Sequence, residues 1–254
     1  MGQQVIDIRE LSDTESMRLA PGDPHYRAYV GPPDRYDLLG AAQFRLLATL
    51  GLRETHRVLD FGCGSLRAGR MLIAYLQAEC YFGVEPNQWL IDDALKRQLG
   101  EDIVRIKKPS FSTNTDFSVP FRENPFDFVL AQSIFSHTGR DLAHRLLGEF
   151  AEVISPSGIV AATFSVREFD SASKELGWVY PGCVKYCQED VLGLAREAGL
   201  AVTQIPFFHP TQRWFLMSKE AATLPLPEHL WMLTGGVFNV SEFTGSLENR
   251  GEVR

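Results

Sequence analysis

The fold of this 254-residue chain is decided by the stretch Val58-Leu59-Asp60-Phe61-Gly62-Cys63-Gly64-Ser65-Leu66-Arg67-Ala68-Gly69-Arg70. It opens with an apolar run that is typical of a buried strand, and apolar residues at helical spacing follow it. The glycines between them permit a sharp turn and the close approach of a ligand. Amides at the start of a helix lack partners within that helix, so the pattern predicts a turn that receives the anionic end of a ligand. The predicted binding residues of the turn are Asp60, Gly62, Cys63 and Gly64.

A carboxylate follows the next predicted strand. The strand covers Tyr81 to Val84, and Glu85 comes 21 residues after Gly64. In nucleotide-binding α/β folds an acidic residue at this point accepts hydrogen bonds from ribose hydroxyls. The glycine spacing does not complete the Gly-x-Gly-x-x-Gly pattern of nicotinamide sites, because its sixth position is Arg67. The sequence therefore predicts a ribose-bearing ligand at Glu85.

This turn resembles the first motif of the class I S-adenosylmethionine-dependent methyltransferases, an acidic residue followed by alternating glycines. Asp60, Gly62 and Gly64 match that motif, and the third glycine that often comes two residues later is Leu66 in this chain. The resemblance covers roughly residues 50 to 218. It implies a Rossmann-like methyltransferase fold, S-adenosylmethionine as the cofactor and transfer of its methyl group as the activity.

The resemblance also assigns roles to two residues ahead of the fourth strand. In such methyltransferases a short acidic element at this place hydrogen-bonds the adenine amino group, and an apolar neighbour packs on the ring. Asp116 and Phe117 fit these roles by position.

Further candidates follow the fourth strand, which covers Phe126 to Ala131. In an open α/β sheet, ligands lie at the carboxyl ends of the strands. Gln132 and Ser133 are therefore predicted to approach the cofactor, and His137 the methyl acceptor. Because the pKa of histidine lies near neutral pH, His137 is the first candidate for a general base, and His209 at the same edge is the second.

Aromatic residues are predicted to line the acceptor site. Tyr36 opens the helix before the first strand, and Trp178 and Tyr180 lie in an insertion over residues 166–186. Insertions at the carboxyl edge of a sheet commonly carry specificity.

The remaining pattern predicts a three-layer, doubly wound α/β fold with a mostly parallel sheet. The third strand has two possible positions, around residues 103–106 or 110–113. The short link between the last two predicted strands, at 201–205 and 214–218, requires an antiparallel pair. A reversed last strand distinguishes the methyltransferase sheet from the all-parallel dinucleotide-binding one.

The chain is predicted to have three parts. Residues 1–50 form an N-terminal segment and a helix that cover the site, residues 51–218 the methyltransferase domain, and residues 219–254 a C-terminal tail, packed or disordered. A Pro-Ser-Gly turn at residues 156–158 is predicted to separate a long helix from the fifth strand.

The composition limits the predicted binding partners and location of the protein. A net charge of −7 argues against nucleic acid, which is bound through clustered lysines and arginines. Four cysteines without a signal peptide or an apolar run of membrane-spanning length indicate a reduced cytoplasmic protein. Cys183 and Cys187 have a spacing that metal sites use, but no second pair accompanies them, so no metal is expected.

The predicted function is methyl transfer from S-adenosylmethionine to a small-molecule, sugar or lipid-type acceptor, most readily at O or N. Nucleic-acid bases are disfavoured, since neither an Asn/Asp-Pro-Pro-Tyr/Phe element nor a Pro-Cys nucleophile follows the fourth strand. The alternatives are a methyltransferase-like domain that binds the cofactor without turnover and an NAD-dependent oxidoreductase. The sequence carries no signal for the oligomeric state.

Overall fold

The computed structural model describes residues 7–167 and 174–235. Residues 168–173 of the predicted insertion and residues 236–254 of the predicted tail lie outside this range. The chain divides into two compact units, with the boundary between Leu130 and Ala131.

In the described part of the first unit, four strands pair in parallel in the order β3-β2-β1-β4. Their bounds are β1 Val58–Phe61, β2 Tyr81–Val84, β3 Ser110–Ser112 and β4 Phe126–Ala131, the last ending one residue past the boundary. All residues of β1 and β2 are buried, as expected of strands covered on both faces. The third strand thus takes the later of its two possible positions, and a helix occupies the earlier one.

The described residues of the first unit form six α-helices. Their bounds are α1 Asp13–Ser16, α2 Tyr26–Tyr29, α3 Tyr36–Thr49, α4 Gly69–Tyr75, α5 Gln88–Ala94 and α6 Glu101–Lys107. Of these, α3, α4 and α5 follow the predicted alternation with strands, whereas α6 lies at one of the two positions predicted for the third strand. The predicted helix over residues 88–99 is continuous, but its last turn, Leu95–Leu99, is a π-helix. Short 3-10 turns lie at Ile8–Glu10 and Pro33–Arg35.

The N-terminal helices are held by a buried arginine. Arg27 donates to Asp13 and to Asp37 over 2.8 Å each, and its guanidinium lies 4.9 Å from the ring centre of Tyr36. His25 caps α2, because its Nδ1 accepts from the amide of Arg27 at 3.3 Å. These contacts join the segment before α3 to α3 itself, although its prolines and glycines allow little regular structure.

The second unit is built on an antiparallel arrangement. Its strands are β5 Ile154–Phe164, β6 Ala201–Ile205 and β7 Arg213–Ser218, and its helices are α7 Arg140–Val153 and α8 Gln188–Glu197. Strand β7 runs antiparallel to both β5 and β6, which confirms the predicted antiparallel last pair. Short 3-10 turns follow at Ala221–Thr223 and Pro227–Leu233.

The predicted turn at residues 156–158 is wrong. Helix α7 ends at Val153, and β5 begins directly at Ile154, so these three residues extend the strand. Lys219, directly after β7, stabilises the start of this extension, since its Nζ donates to the carbonyl of Ile154 at 2.8 Å. A proline is tolerated there because Pro156 lies at an exposed strand end.

The seven strands belong to one mostly parallel sheet in the order β3-β2-β1-β4-β5-β7-β6. This confirms the predicted fold class, a doubly wound α/β fold with a reversed last strand. The three-part division of the chain stays a prediction.

Candidate functional site

The glycine turn after β1 has the conformation that its sequence predicts. Gly62 and Gly64 have φ angles of +74° and +53°, in the region that glycine favours. The amides of Gly62 and Cys63 both donate to the carbonyl of Val84, at 2.8 and 3.1 Å. A Cβ on Gly64 would lie 2.7 Å from Cγ1 of Val30, so the N-terminal segment packs directly against the turn.

Leu66 holds the place of the third glycine. It is completely buried, and its φ angle of +57° is again one that glycine favours. An L-residue in this conformation costs about 1–2 kcal/mol. The chain therefore departs from the motif in the side chain, whereas the backbone keeps the glycine-like path.

Glu85 lies at the end of β2 and supports the turn. Its Oε2 accepts from the amide of Gly64 at 3.2 Å, and its Oε1 accepts from the backbone and side-chain nitrogens of Asn87 at 2.9 and 2.7 Å. Burial raises the pKa of Glu85, and these hydrogen bonds oppose the shift. A carboxylate has about four acceptor positions, so one remains on Oε2 for a ligand hydroxyl.

Asp60 places a second buried carboxylate beside Glu85. It accepts from the hydroxyl of Tyr81 at 2.8 Å. Burial raises the pKa of Asp60 to about 6, and the negative charge of Glu85 adds to the shift, while Tyr81 and Arg67 oppose it. A cationic ligand would stabilise the ionised form of this group.

Cys63 has a structural position in the turn. Its thiol is buried against Gly83, where a Cβ would lie 2.9 Å from Sγ. Burial raises the pKa of the thiol well above its usual range. Cys63 is therefore a poor nucleophile and contributes packing.

Tyr36, predicted to contact the acceptor, lies inside the first unit. Its ring is completely buried. Its hydroxyl donates to the carbonyl of Ser65 at 2.6 Å and accepts from Ser65 Oγ at 3.1 Å and Gln98 Nε2 at 2.8 Å. Tyr36 thus anchors α3 to the glycine turn and is closed to an acceptor in this structure.

Asp116 and Phe117 lie in a hydrogen-bonded loop between β3 and β4. Asp116 is exposed, and its Oδ1 accepts from the amide of Ser118 at 2.9 Å. Phe117 has a φ angle of +62°, a strained conformation for an aromatic residue. Their roles toward adenine stay predictions.

In the second unit, Gln132 and Ser133 form a polar cluster with His209. Nδ1 of His209 accepts from the amides of Thr211 and Gln212 at 3.2 and 2.9 Å, so the proton of the neutral ring lies on Nε2. Nε2 lies 3.1 Å from Nε2 of Gln132, and because two N–H groups cannot pair, the hydrogen bond requires the Gln132 amide to present Oε1, which otherwise has no partner among the described residues. Ser133 has a φ angle of +61°. With both nitrogens engaged, His209 has the geometry of a structural residue.

His137 is arranged in the opposite way. Its Nδ1 donates to the carbonyl of Gly182 over 2.7 Å, which leaves the lone pair of the neutral ring on Nε2. Among the residues that the structure describes, none makes a hydrogen bond to Nε2. Burial lowers the pKa of His137, and the Gly182 carbonyl opposes the shift.

Trp178 and Tyr180 lie beside His137. Their ring centres are 5.6 and 5.0 Å from that of the imidazole, and they are 47% and 39% exposed. The segment that carries them is held to the loop before α7, because the amide of Val179 donates to the carbonyl of His137 at 2.9 Å. At Gly139 a Cβ would lie 2.3 Å from the carbonyl oxygen of Glu175, so only glycine allows this approach.

Two contributors to these sites were missed by the sequence analysis. The carbonyl of Gly182 selects the tautomer of His137, and Val30 covers Gly64. A backbone carbonyl and an isolated valine carry no signal in a single sequence.

Within residues 7–167 and 174–235, no group of three or more His, Cys, Asp or Glu residues could hold a metal ion. None of the helices described in these ranges combines the length and the apolarity needed to cross a membrane.

Comparison with known proteins agrees with this arrangement. Residues 59–160 match the family model of a methyltransferase domain. An uncharacterised methyltransferase of the fission yeast Schizosaccharomyces pombe is 30% identical over 112 residues, which are 43% of this chain and 40% of that protein. The match therefore spans less than half the length of this curated relative.

Solved structures show the same fold. Magnesium protoporphyrin IX methyltransferase of Synechocystis, with S-adenosylhomocysteine bound, has a TM-score of 0.55 at 12% identity and covers 74% of this chain and 84% of its own. A protein of Pyrococcus horikoshii has a TM-score of 0.56 at 15% identity, and the match covers 81% of this chain and 99% of that protein. Residues 59–160 of this chain are thus similar to a methyltransferase domain, and the chain has the fold of these solved structures.

Proposed function

We propose that the protein transfers a methyl group from S-adenosylmethionine to a small-molecule, sugar or lipid-type acceptor, at O or N. The observation that carries this proposal is the neutral His137, fixed with its lone pair on Nε2 beside two half-exposed aromatic rings. The methyltransferase domain over residues 59–160 supports the cofactor class.

The residues of the first unit fit such a cofactor. Gly62 and Gly64 leave the turn without side chains, and Glu85 keeps one acceptor position for a ribose hydroxyl. The charge of Asp60 favours a cationic ligand. The proposed cofactor contacts also include Asp116 and Phe117, which would contact adenine. Two residues of the second unit, Gln132 and Ser133, follow β4 and are proposed as further contacts.

S-adenosylmethionine supplies an electrophilic methyl group on a sulfonium. The chain contributes orientation and exclusion of water, and His137 takes up a proton where the acceptor must lose one. Because the carbonyl of Gly182 accepts the hydrogen bond from Nδ1–H of His137, the proton released by the acceptor binds to Nε2.

The exposure of Trp178 favours turnover over a domain that only binds the cofactor, since a degenerate acceptor site would be filled by such side chains. An NAD site is disfavoured because Arg67 stands at the last glycine position, where its Nη1 donates to the carbonyl of Val30 at 3.0 Å. A cytoplasmic location and the absence of a nucleic-acid partner belong to the same proposal, supported by four free cysteines and the net charge of −7.

Calorimetric titration with S-adenosylmethionine, S-adenosylhomocysteine and NAD tests the proposal. We expect saturable binding of the first two and none of NAD. Glu85→Ala should weaken binding by more than tenfold, about 1.4 kcal/mol, because the remaining acceptor position and the support of Gly64 are lost together. Glu79→Ala, which removes an exposed ion pair with Lys108, is the matched control. Binding of NAD alone, or of none of the three, would overturn the proposal.

A further inference from the structure

Ser65, in the middle of the glycine turn, is held at both its backbone and its side chain. It is completely buried and lies between Gly64 and Leu66, which both have positive φ angles. Its carbonyl accepts from the hydroxyl of Tyr36 at 2.6 Å, and its own Oγ donates to that hydroxyl at 3.1 Å. The amide of Ser65 makes no hydrogen bond within the described residues. Because buried amides are nearly always paired, this amide is available to an acceptor atom of a ligand.

Gln98 determines the direction of the hydrogen bond between Tyr36 and Ser65. Its Nε2 donates to the hydroxyl of Tyr36 at 2.8 Å and lies 3.5 Å from the carbonyl oxygen of Ser65. This carbonyl fixes the orientation of the Gln98 amide, because an oxygen in place of Nε2 would face it without a hydrogen. Since Gln98 and Ser65 Oγ both donate to the tyrosine oxygen, the proton of Tyr36 is directed to the Ser65 carbonyl.

Gln98 lies in the π-helical turn Leu95–Leu99 that continues α5. Such turns are rare and occur frequently at functional sites. The preceding residue, Arg97, donates to the carbonyl of Arg9 at 2.6 Å and so holds the N-terminal segment. Two adjacent side chains of the π-helical turn therefore serve different contacts, and a change at Arg97 can be compared directly with a change at Gln98.

The amide oxygen of Gln98 has no partner among the described residues, although it is buried. A buried carbonyl oxygen without a donor costs free energy, which offsets part of what the hydrogen bond to Tyr36 contributes to stability. A leucine at this position would avoid that cost but could not donate to Tyr36. We therefore expect Gln98 to matter more for the position of Ser65 than for the stability of the fold.

We infer that Tyr36 and Gln98 are positioning residues of the cofactor site, which hold Ser65 so that its amide stays available to the bound cofactor. This inference rests on the proposed function. Neither side chain needs to touch the cofactor, since both act through Ser65. Without them the turn must be ordered at the moment of binding, and the loss of a preorganised donor weakens affinity.

Calorimetric titration with S-adenosylhomocysteine measures this effect without turnover. Gln98→Leu should weaken binding about three- to tenfold, the range expected for one neutral hydrogen bond. Tyr36→Phe should weaken it by at least as much, because it removes the donor to the Ser65 carbonyl directly. Urea denaturation in parallel should show that Gln98→Leu keeps the unfolding midpoint of the unchanged protein.

Two control variants alter the same surroundings without a hydrogen bond to Ser65. Arg97→Met changes the same π-helical turn. Tyr26→Phe removes a hydroxyl that donates to Asp13, from a buried ring that packs edge-on against Tyr36 at 5.8 Å. Both controls should leave the affinity for S-adenosylhomocysteine within about twofold of the unchanged protein.

The backbone amide resonance of Ser65 gives a signature that general destabilisation does not produce. In the isotope-labelled protein, S-adenosylhomocysteine should shift this resonance. Gln98→Leu should displace it already in the free protein, whereas Arg97→Met should leave it in place. A Ser65 resonance that responds neither to the ligand nor to Gln98→Leu would contradict the inference.

The outcomes separate this inference from the proposed function. Binding by the unchanged protein, with unaltered affinity in the Gln98 and Tyr36 variants, would overturn only the positioning role. Equal losses in these variants and in the two controls would contradict it as well, since they would report on stability alone. If Tyr36→Phe does not fold, Gln98→Leu decides. Absence of binding by the unchanged protein would overturn the proposed function itself.

Discussion

Two regions of the molecule differ in how their hydrogen-bonding groups are engaged: the glycine turn after β1, and His137 with the neighbouring rings of Trp178 and Tyr180. In the turn, three of the four acceptor positions of Glu85 are occupied by backbone and side-chain donors, and Val30 fills the space beside Gly64. At His137, none of the described residues makes a hydrogen bond to Nε2, and two half-exposed rings pack beside the imidazole. In the proposed function, the first arrangement serves the cofactor and the second the acceptor.

The variant His137→Ala is expected to have the largest effect, and it tests whether the two regions serve different ligands. General base catalysis contributes about 100-fold or more, so turnover of a hydroxyl acceptor should fall by at least that factor. Cofactor affinity should stay within about twofold, because His137 serves the acceptor. Parallel measurement of S-adenosylhomocysteine formation and calorimetric affinity checks both.

His144→Ala is the control for that experiment, since His144 lies half-exposed on α7 near Glu197. It should leave both quantities unchanged. An equal loss of affinity and turnover in His137→Ala would assign His137 to the cofactor site instead.

Arg27→Met tests how much the buried ion pairs of the N-terminal helices contribute to the stability of the first unit. Arg27 is only 6% exposed and donates to two carboxylates, so its loss leaves both without their buried partner. Hydrogen bonds to charged groups contribute about 1.5–3 kcal/mol, and we expect the free energy of unfolding to fall by about 2 kcal/mol. Urea denaturation measures this loss.

The exposed pair of Arg105 and Asp102 provides the comparison for Arg27. Arg105→Met should change the free energy of unfolding by less than about 0.5 kcal/mol. If the two variants are equally stable, the buried network contributes no more than a surface pair.

The glycine turn was legible in the sequence because its chemistry depends on residue types that few other positions require. Gly62, Gly64 and Glu85 are fixed by backbone conformation and by charge at a strand end. All strands except β3 were also predicted to within a residue or two, apart from the start of β5, because mostly apolar runs mark them.

The tautomer of His137 could not be predicted from the sequence. It depends on the carbonyl of Gly182, and any residue presents a carbonyl. The burial of Tyr36 could not be predicted either. A tyrosine at the start of a helix has the same sequence pattern whether it lines a pocket or packs in the core. The strand over residues 156–158 escaped prediction since its supporting contacts come from residues distant in the chain: Ser218 Oγ donates to the carbonyl of Pro156, and Lys219 Nζ to that of Ile154.

Asp60 gives a test that depends on pH. Its folded-state pKa of about 6 exceeds the usual 3.8, so its contribution to stability is complete below about pH 4 and is lost as pH rises through about 6. Relative to Asp60→Asn, the protein should lose about 1.4 kcal/mol between about pH 5 and about pH 7.5. Urea denaturation of both proteins at the two pH values measures the difference. A constant difference would show that Asp60 titrates like an exposed carboxyl.

Leu66 gives the smallest and most local test. Leu66→Ala and Leu66→Gly both remove the buried side chain, but only glycine relieves the positive φ angle. The glycine variant should therefore be the more stable by about 1 kcal/mol, although glycine usually destabilises a folded chain. Thermal or urea denaturation ranks the pair, and the opposite order would mean that the backbone moves when the side chain is removed.

The carbonyl that orients His137 is followed directly by an exposed cysteine. Cys183 is accessible, whereas the thiol of Cys63 is buried and holds its proton. A maleimide or a fluorinated alkylating reagent should therefore label Cys183 long before Cys63. Once Cys80 and Cys187 are replaced, the label becomes a spectroscopic reporter one residue from Gly182, through which occupancy by an acceptor can be followed without any turnover.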